Sequence, residues 1–352
     1  MKPKEDMHKL VLIMFMCVGW ITPTCAQTAG RVQLTLDTSE ADQALLILHK
    51  QAVHQHVTND DWQRLFETVP YQLLKAREES MGRAFSDQAF ESFLLSTESL
   101  AREQEWQETL ANMKHADMQS LGEAVLAWLP AGATINASVF PEIKPQTNSF
   151  VWTKPGSGPA IFLYLERQSQ AKFENTVAHE CHHIGLGSLE KQQNEIQAKL
   201  PERVKRATHW IGAFGEGEAM LAAAGSVDRH PHWEDDGLAR ARWDSDMMHF
   251  NSDLVAVQQL LTDILNGNLT DDAAIMKRAA PFWGAQGAWY TVGYEMAALV
   301  ERGYGRAAFN RCLLDPRELL TKYNQIALEA NSKGAALATW SPEFLARLSG
   351  AN

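Results

Sequence analysis

Apolar positions along the chain follow two regimes, long stretches of helical spacing and, between them, short continuous runs. From about residue 39 to 128 the spacing is helical. Ala41, Leu45, Leu48 and Ala52 step by four, three and four, the stripe that lays one face of a helix on a core. Trp62, Leu65, Phe66 and Val69 repeat the pattern as far as Pro70, where the missing N–H predicts a stop. Between 130 and 166 five prolines break the rhythm, and three runs rich in β-branched and aromatic residues (133–140, 148–152 and 160–166) predict short strands. Helical spacing resumes near 169 and lasts to the C-terminus. Its longest stripe is Trp243, Met247, Phe250, Leu254, Val257, Leu261 and Ile264. The expected fold class is therefore α+β, mainly α, with an N-terminal helical region (27–130), a small sheet (131–166) and a larger helical region (167–352). No Gly/Ser linker divides them, so one unit fits the pattern as well as two domains.

The N-terminus adds a compartment. Lys2, Lys4 and Lys9 precede an unbroken apolar run at 10–21, and small residues follow up to Ala26. This is the layout of a secretory signal peptide, residues 1–26, cut between Ala26 and Gln27. The run is shorter than the roughly 20 residues needed to cross a bilayer. The expectation is a secreted or periplasmic protein with no stable membrane span once the signal is removed. Cys17 and Cys25 fall inside that segment, leaving Cys181 and Cys312, too few for a disulfide scaffold. Whether those two pair is left open. A formal charge of −11, from 32 Lys plus Arg against 43 Asp plus Glu, repels phosphate backbones and argues against a nucleic-acid partner.

One segment carries chemistry. Residues 176–187 read TVAHECHHIGLG and contain His179-Glu180-Cys181-His182-His183, an HExxH motif. On a helix, positions four apart differ by about 40° and rise about 6 Å, so His179 and His183 stand on one face and can share one Zn²⁺. Glu180, turned about 100° from His179, can reach a water at the metal and take its proton. Val177, Cys181 and Ile184 form the opposite, apolar side, which makes Cys181 a packing residue. His182 fits either a supporting position behind the ligands or the surface.

Catalytic zinc keeps three protein ligands and one open position. The third candidate lies in WIGAFGEGEAMLAAAG (210–225), where Glu216 shares a face with Gly212, Ala219, Met220 and Ala223. A carboxylate buried on such a face needs a partner. Glu218, turned about 200° away, is the second candidate ligand and otherwise a solvated or salt-bridged carboxylate.

HECHH followed by EGEA (216–219) resembles the gluzincin metallopeptidases. Over roughly residues 160–310 the chain is most similar to poorly characterised bacterial families described as zinc-dependent peptidases, which share HHIG-like and GEGxAMLAAAG-like stretches. The resemblance implies a zincin-like fold across 131–352: a small sheet with an edge strand over the HExxH helix, and a helical second lobe. It implies His179, His183 and Glu216 as zinc ligands, Glu180 as general base, and a peptide or protein as substrate. Two features depart from the pattern. The GxMxN motif of the aminopeptidase branch is absent, and Met220 stands where a second carboxylate is common. A Tyr or His from the second lobe stabilises the oxyanion in such families, which makes Tyr290 and Tyr294 candidates, with His230, His232 and His249 as weaker ones. The rival readings are an inactive zincin-fold binding protein and a non-peptidase metal hydrolase. A di-iron bundle is disfavoured, because no second ExxH follows residue 26.

Overall fold

The computed structural model describes residues 30–235, 237–284 and 287–350, so the signal peptide read at 1–26 lies outside them. Its first element is a strand that the apolar spacing does not predict, β1 (Val32–Leu36). Seven helices follow: α1 (Ser39–Ala52), α2 (Asn59–Phe66), α3 (Val69–Ser80), α4 (Asp87–Leu94), α5 (Thr97–Ala101), α6 (Glu103–Met113) and α7 (Met118–Leu126). Then come β2 (Ile135–Glu142), β3 (Phe150–Thr153) and β4 (Pro159–Tyr164), close to the three expected runs. The remainder is helical: α8 (Gln170–Gly187), α9 (Glu190–Gln197), α10 (Glu202–Ile211), α11 (Gly215–Ala224), α12 (Gly237–Met247), α13 (Phe250–Asn266), α14 (Asp272–Ala279), α15 (Ala288–Tyr304), α16 (Arg306–Cys312), α17 (Pro316–Ser332) and α18 (Pro342–Leu348). A mainly helical chain around one small sheet is what the pattern indicated.

The four strands form one sheet in the order β1-β2-β4-β3. β1, β2 and β4 are parallel, and β3 is an antiparallel edge strand paired to β4. Register assigns the two faces. Val139, Ile161 and Val151 align across β2, β4 and β3, as do Phe140, Phe162 and Phe150 on the other side. Val139 and Ile161 join the main core with Phe173, Val177 and Cys181 of α8, while Phe140 and Phe162 pack against Leu74 of α3. The N-terminal helical region thus supplies an edge strand as well as helices, with Val32 opposite Ile135.

Two local expectations are corrected. Pro70 does not end a helix; it sits in the first turn of α3, where a residue without an N–H leaves no bond unmade. The stripe from Trp243 to Ile264 is two helices, broken at Met248 and His249, with His249 at the N-cap of α13. Trp243, Phe250, Leu254, Val257, Leu261 and Ile264 are nevertheless all buried. Cys181 and Cys312 are separate buried thiols. No helix among the described residues is long and apolar enough to cross a membrane.

Candidate metal centre

Helix α8 begins where the Ser169 side chain accepts a hydrogen bond from Lys172 N at 3.1 Å, filling one donor of the open first turn. Phe173, Val177 and Cys181, four apart, are fully buried and fix which side of the helix meets the sheet. His179 and His183 therefore face the other way, 14% and 31% exposed at the side chain. Ile184 departs from the expected apolar back face: it is half-buried and lines the cleft beside His183.

Helix α11 packs between α8 and α15, and its glycines permit this. A Cβ on Gly217 would run into the backbone nitrogen of Tyr294 and the carbonyl of Tyr290, and one on Gly293 would meet the Phe214 carbonyl at 2.5 Å. The close crossing sets α11 so that Glu216 reaches His179 and His183, 37 and 33 positions upstream. Glu216 Oε2 lies 3.2 Å from His179 Nε2 and 3.4 Å from His183 Nε2, and the two Nε2 atoms are 3.1 Å apart. Donor atoms about 2.0–2.1 Å from one zinc ion at tetrahedral angles stand roughly 3.3 Å from one another. All three separations match that spacing. Two imidazole nitrogens and a carboxylate oxygen aimed at one point have too few protons to satisfy each other, and a cation resolves the conflict. Among the described residues, these three are the one group of His, Cys, Asp or Glu side chains placed to hold a metal ion.

Without an ion, the carboxylate and the imidazoles pair with one another. Burial raises Glu216, but the hydrogen bonds and charges of His179 and His183 outweigh it and hold the carboxyl well below its usual range. Burial disfavours charge on His183, yet the Glu216 carboxylate overrides it and raises the imidazole. Glu180 lines the cleft of about 620 Å³ that reaches His183 and Glu216.

The other candidates separate. Burial raises the Tyr290 phenol, and the Glu216 carboxylate beside it and Glu180 raise it further, so Tyr290 belongs to this cluster. Tyr294 does not: its hydroxyl donates to the Arg229 carbonyl at 3.4 Å and its ring meets Trp243 edge-on. His232 and His230 pair with Asp235 and Asp244 at 2.7 and 3.3 Å, and His249 stands at the N-cap position of α13 without a side-chain capping bond. Glu218 corrects the expectation of a solvated or salt-bridged group. It is 4% exposed, has no ion-pair partner among the described residues, and is pushed up to about 7 by burial, against the opposing charge of His183. α11 is covered on both flanks, so the side away from Glu216 is interior. His182 likewise is fully buried, which removes the surface alternative. Burial first, then the charges of His183 and His179, drive it well below its usual value. Neither ring nitrogen has a hydrogen-bond partner in good geometry among the described residues; the Trp128 backbone is close enough only to oppose that shift.

The cleft itself escaped the sequence reading. Val151 and Thr153 share one face of β3, and Ser188 ends α8 by accepting from Thr134 N at 2.9 Å. Strand alternation offers the one sequence signal for the first pair, and Ser188 has none.

A mainly helical α+β chain with a His-His-Glu group that could hold a metal ion beside a cleft is the class these features define. The chain belongs to the family described as "Putative zinc dependent peptidase (DUF5700)", whose model matches residues 62–332. No curated protein and no solved structure matches it.

Proposed function

We propose that the protein is an exported zinc peptidase with a zincin-like site built on residues 131–352, to which the N-terminal region lends strand β1. The observation that carries this reading is the mutual 3.1–3.4 Å spacing of His179 Nε2, His183 Nε2 and Glu216 Oε2, with Glu180 lining the same cleft. His179, His183 and Glu216 hold one zinc ion. When bound, zinc supplies Lewis acidity, acidifying a water and polarising a carbonyl. The Glu180 carboxylate takes the proton of the attacking water and returns it to the departing nitrogen. The Tyr290 hydroxyl donates to the carbonyl oxygen as that oxygen gains charge. β3 is an edge strand of the sheet, and an extended peptide can lie beside it through main-chain hydrogen bonds.

The test joins metal content with cleavage. Purified protein is expected to carry one zinc, to cut peptides in a mixed library, to lose activity to a chelator and to regain it with zinc. Glu180→Gln keeps the zinc and lowers kcat by about 10²–10⁴-fold. A zinc-loaded protein that cuts no peptide, or full activity in Glu180→Gln, overturns the assignment.

A further inference from the structure

The cleft has two unlike ends. Glu180, His183 and Glu216 form the end at the metal centre. Away from it, none of the described residues that line the cleft is Asp, Glu, Lys or Arg. A charged substrate side chain entering there would meet hydroxyl and amide groups of Thr134, Asn136, Thr153 and Ser188 but no opposite charge to offset the water it sheds. Beside those neutral polar groups the walls carry apolar surface. Val151 of β3 is 36% exposed, and Ile184 and Pro159 are half-buried at the cleft rather than sealed in the core.

Depth comes from Gly187, on the last turn of α8. A Cβ there would meet nothing within 4 Å. No close approach of neighbouring atoms requires a glycine, and glycine is less favourable than alanine in a helix. The space that its missing side chain leaves belongs to the cleft. The walls are also tied together. Ser188 Oγ accepts from Thr134 N at 2.9 Å and donates to the Gly185 carbonyl at 2.6 Å, fixing the end of α8 against the start of β2. The volume of about 620 Å³ falls within the roughly 300–1,000 Å³ of ligand sites, ample for a large side chain with its neighbouring backbone.

We infer that this cleft is a specificity pocket. It takes one large uncharged apolar side chain, of the leucine, methionine or phenylalanine kind, from the residue adjoining the bond to be cut, and Gly187 sets its depth. The inference rests on the proposed peptidase reading of the metal centre.

Two measurements separate the pocket from that reading. In a peptide library, wild type is expected to cut beside large apolar residues at least tenfold faster than beside Asp, Glu, Lys or Arg. Gly187→Leu, which fills the pocket, reduces the leucine-to-alanine ratio of kcat/KM at least tenfold with zinc content unchanged. Thr153→Lys, on the exposed edge strand, raises cleavage beside acidic residues relative to leucine, a gain that misfolding cannot produce. In parallel, zinc-loaded Glu180→Gln is titrated with hydroxamates bearing a leucine, aspartate or lysine side chain. Preference for the leucine compound, abolished by Gly187→Leu, supports the pocket even where no peptide is cut and the peptidase reading has failed. Cleavage with no preference among side chains, or an unchanged preference in both variants, overturns the pocket and leaves the peptidase standing.

Discussion

Glu216 and Glu142 are both interior glutamates, and their surroundings push them in opposite directions. Glu216 meets two imidazoles beside an open cleft and is held well below the usual carboxyl range. Glu142, at the end of β2, is fully buried, and neither carboxylate oxygen has a hydrogen-bond partner among the described residues. Burial raises it, and the charge of Glu40 adds to the shift, against Lys144 and Arg77. Glu40 is pushed up to about 8, although its Oε2 accepts from Ile143 N at 3.0 Å. Lys144 does not neutralise the pair, because its ammonium donates to the carbonyl oxygens of Asn148 and Gln146 at 2.5 and 2.9 Å. Burial alone therefore does not mark a site. What marks one is several donor atoms converging on one point next to a cleft, whereas burial away from such a cluster shifts an acid towards holding its proton.

The sharpest break of that contrast is chemical. Replacing His179, His183 or Glu216 by alanine is expected to reduce bound zinc from one equivalent to under about one tenth after dialysis, and to lower peptidase activity by ~10³-fold or more. Glu142→Gln leaves the zinc content unchanged. Elemental analysis of the four variants decides it, and zinc retained in Glu216→Ala but lost in Glu142→Gln would invert the comparison.

A smaller effect tests how Glu216 is brought into place. Gly217→Ala forces α11 away from the backbone of α15, an overpacking expected to cost about 1–3 kcal/mol in urea denaturation. It also weakens zinc binding, because Glu216 is the next residue. Gly212→Ala is the control: a Cβ there meets nothing within 4 Å, and the change stays within about 0.5 kcal/mol. Equal costs for the two glycines would mean that close helix contact does not set the metal centre.

The parts of the site legible in the sequence are the local ones. His179 and His183 share a face because a helix repeats, and nothing distant alters that. Glu216 was readable through the small residues around it, although its meeting with the histidines depends on how α8 and α11 pack. Tyr290 and Tyr294 could not be told apart, since both lie on one face of α15; the neighbouring Trp243 and the Arg229 carbonyl take Tyr294. Glu218 was misjudged because an angle around a helix axis does not say that a second helix covers that side. β1 was missed for a related reason: five alternating residues give little signal, and the partner strand follows 103 positions later. The Glu40–Glu142 pair is hidden in the same way, joined only once the end of β2 meets the start of α1.

That buried pair makes the last and smallest prediction. Glu40 and Glu142 hold protons more tightly in the folded chain than in the unfolded one, where a glutamate titrates near 4.5. Between about pH 4.5 and 8 the folded state therefore binds more protons, and stability falls as pH rises through that window. Glu218 and Glu234, each pushed up to about 7, slope the same way. Glu142→Gln removes one of these acids together with its repulsion on Glu40. Compared with wild type, the variant should lose less stability between about pH 5 and 8 and should be the more stable protein at the alkaline end. Urea midpoints at three pH values read this directly. A variant that is less stable at pH ~8, or whose slope matches wild type, would mean that Glu142 is ionised and paired in the fold, and its contrast with Glu216 would be lost.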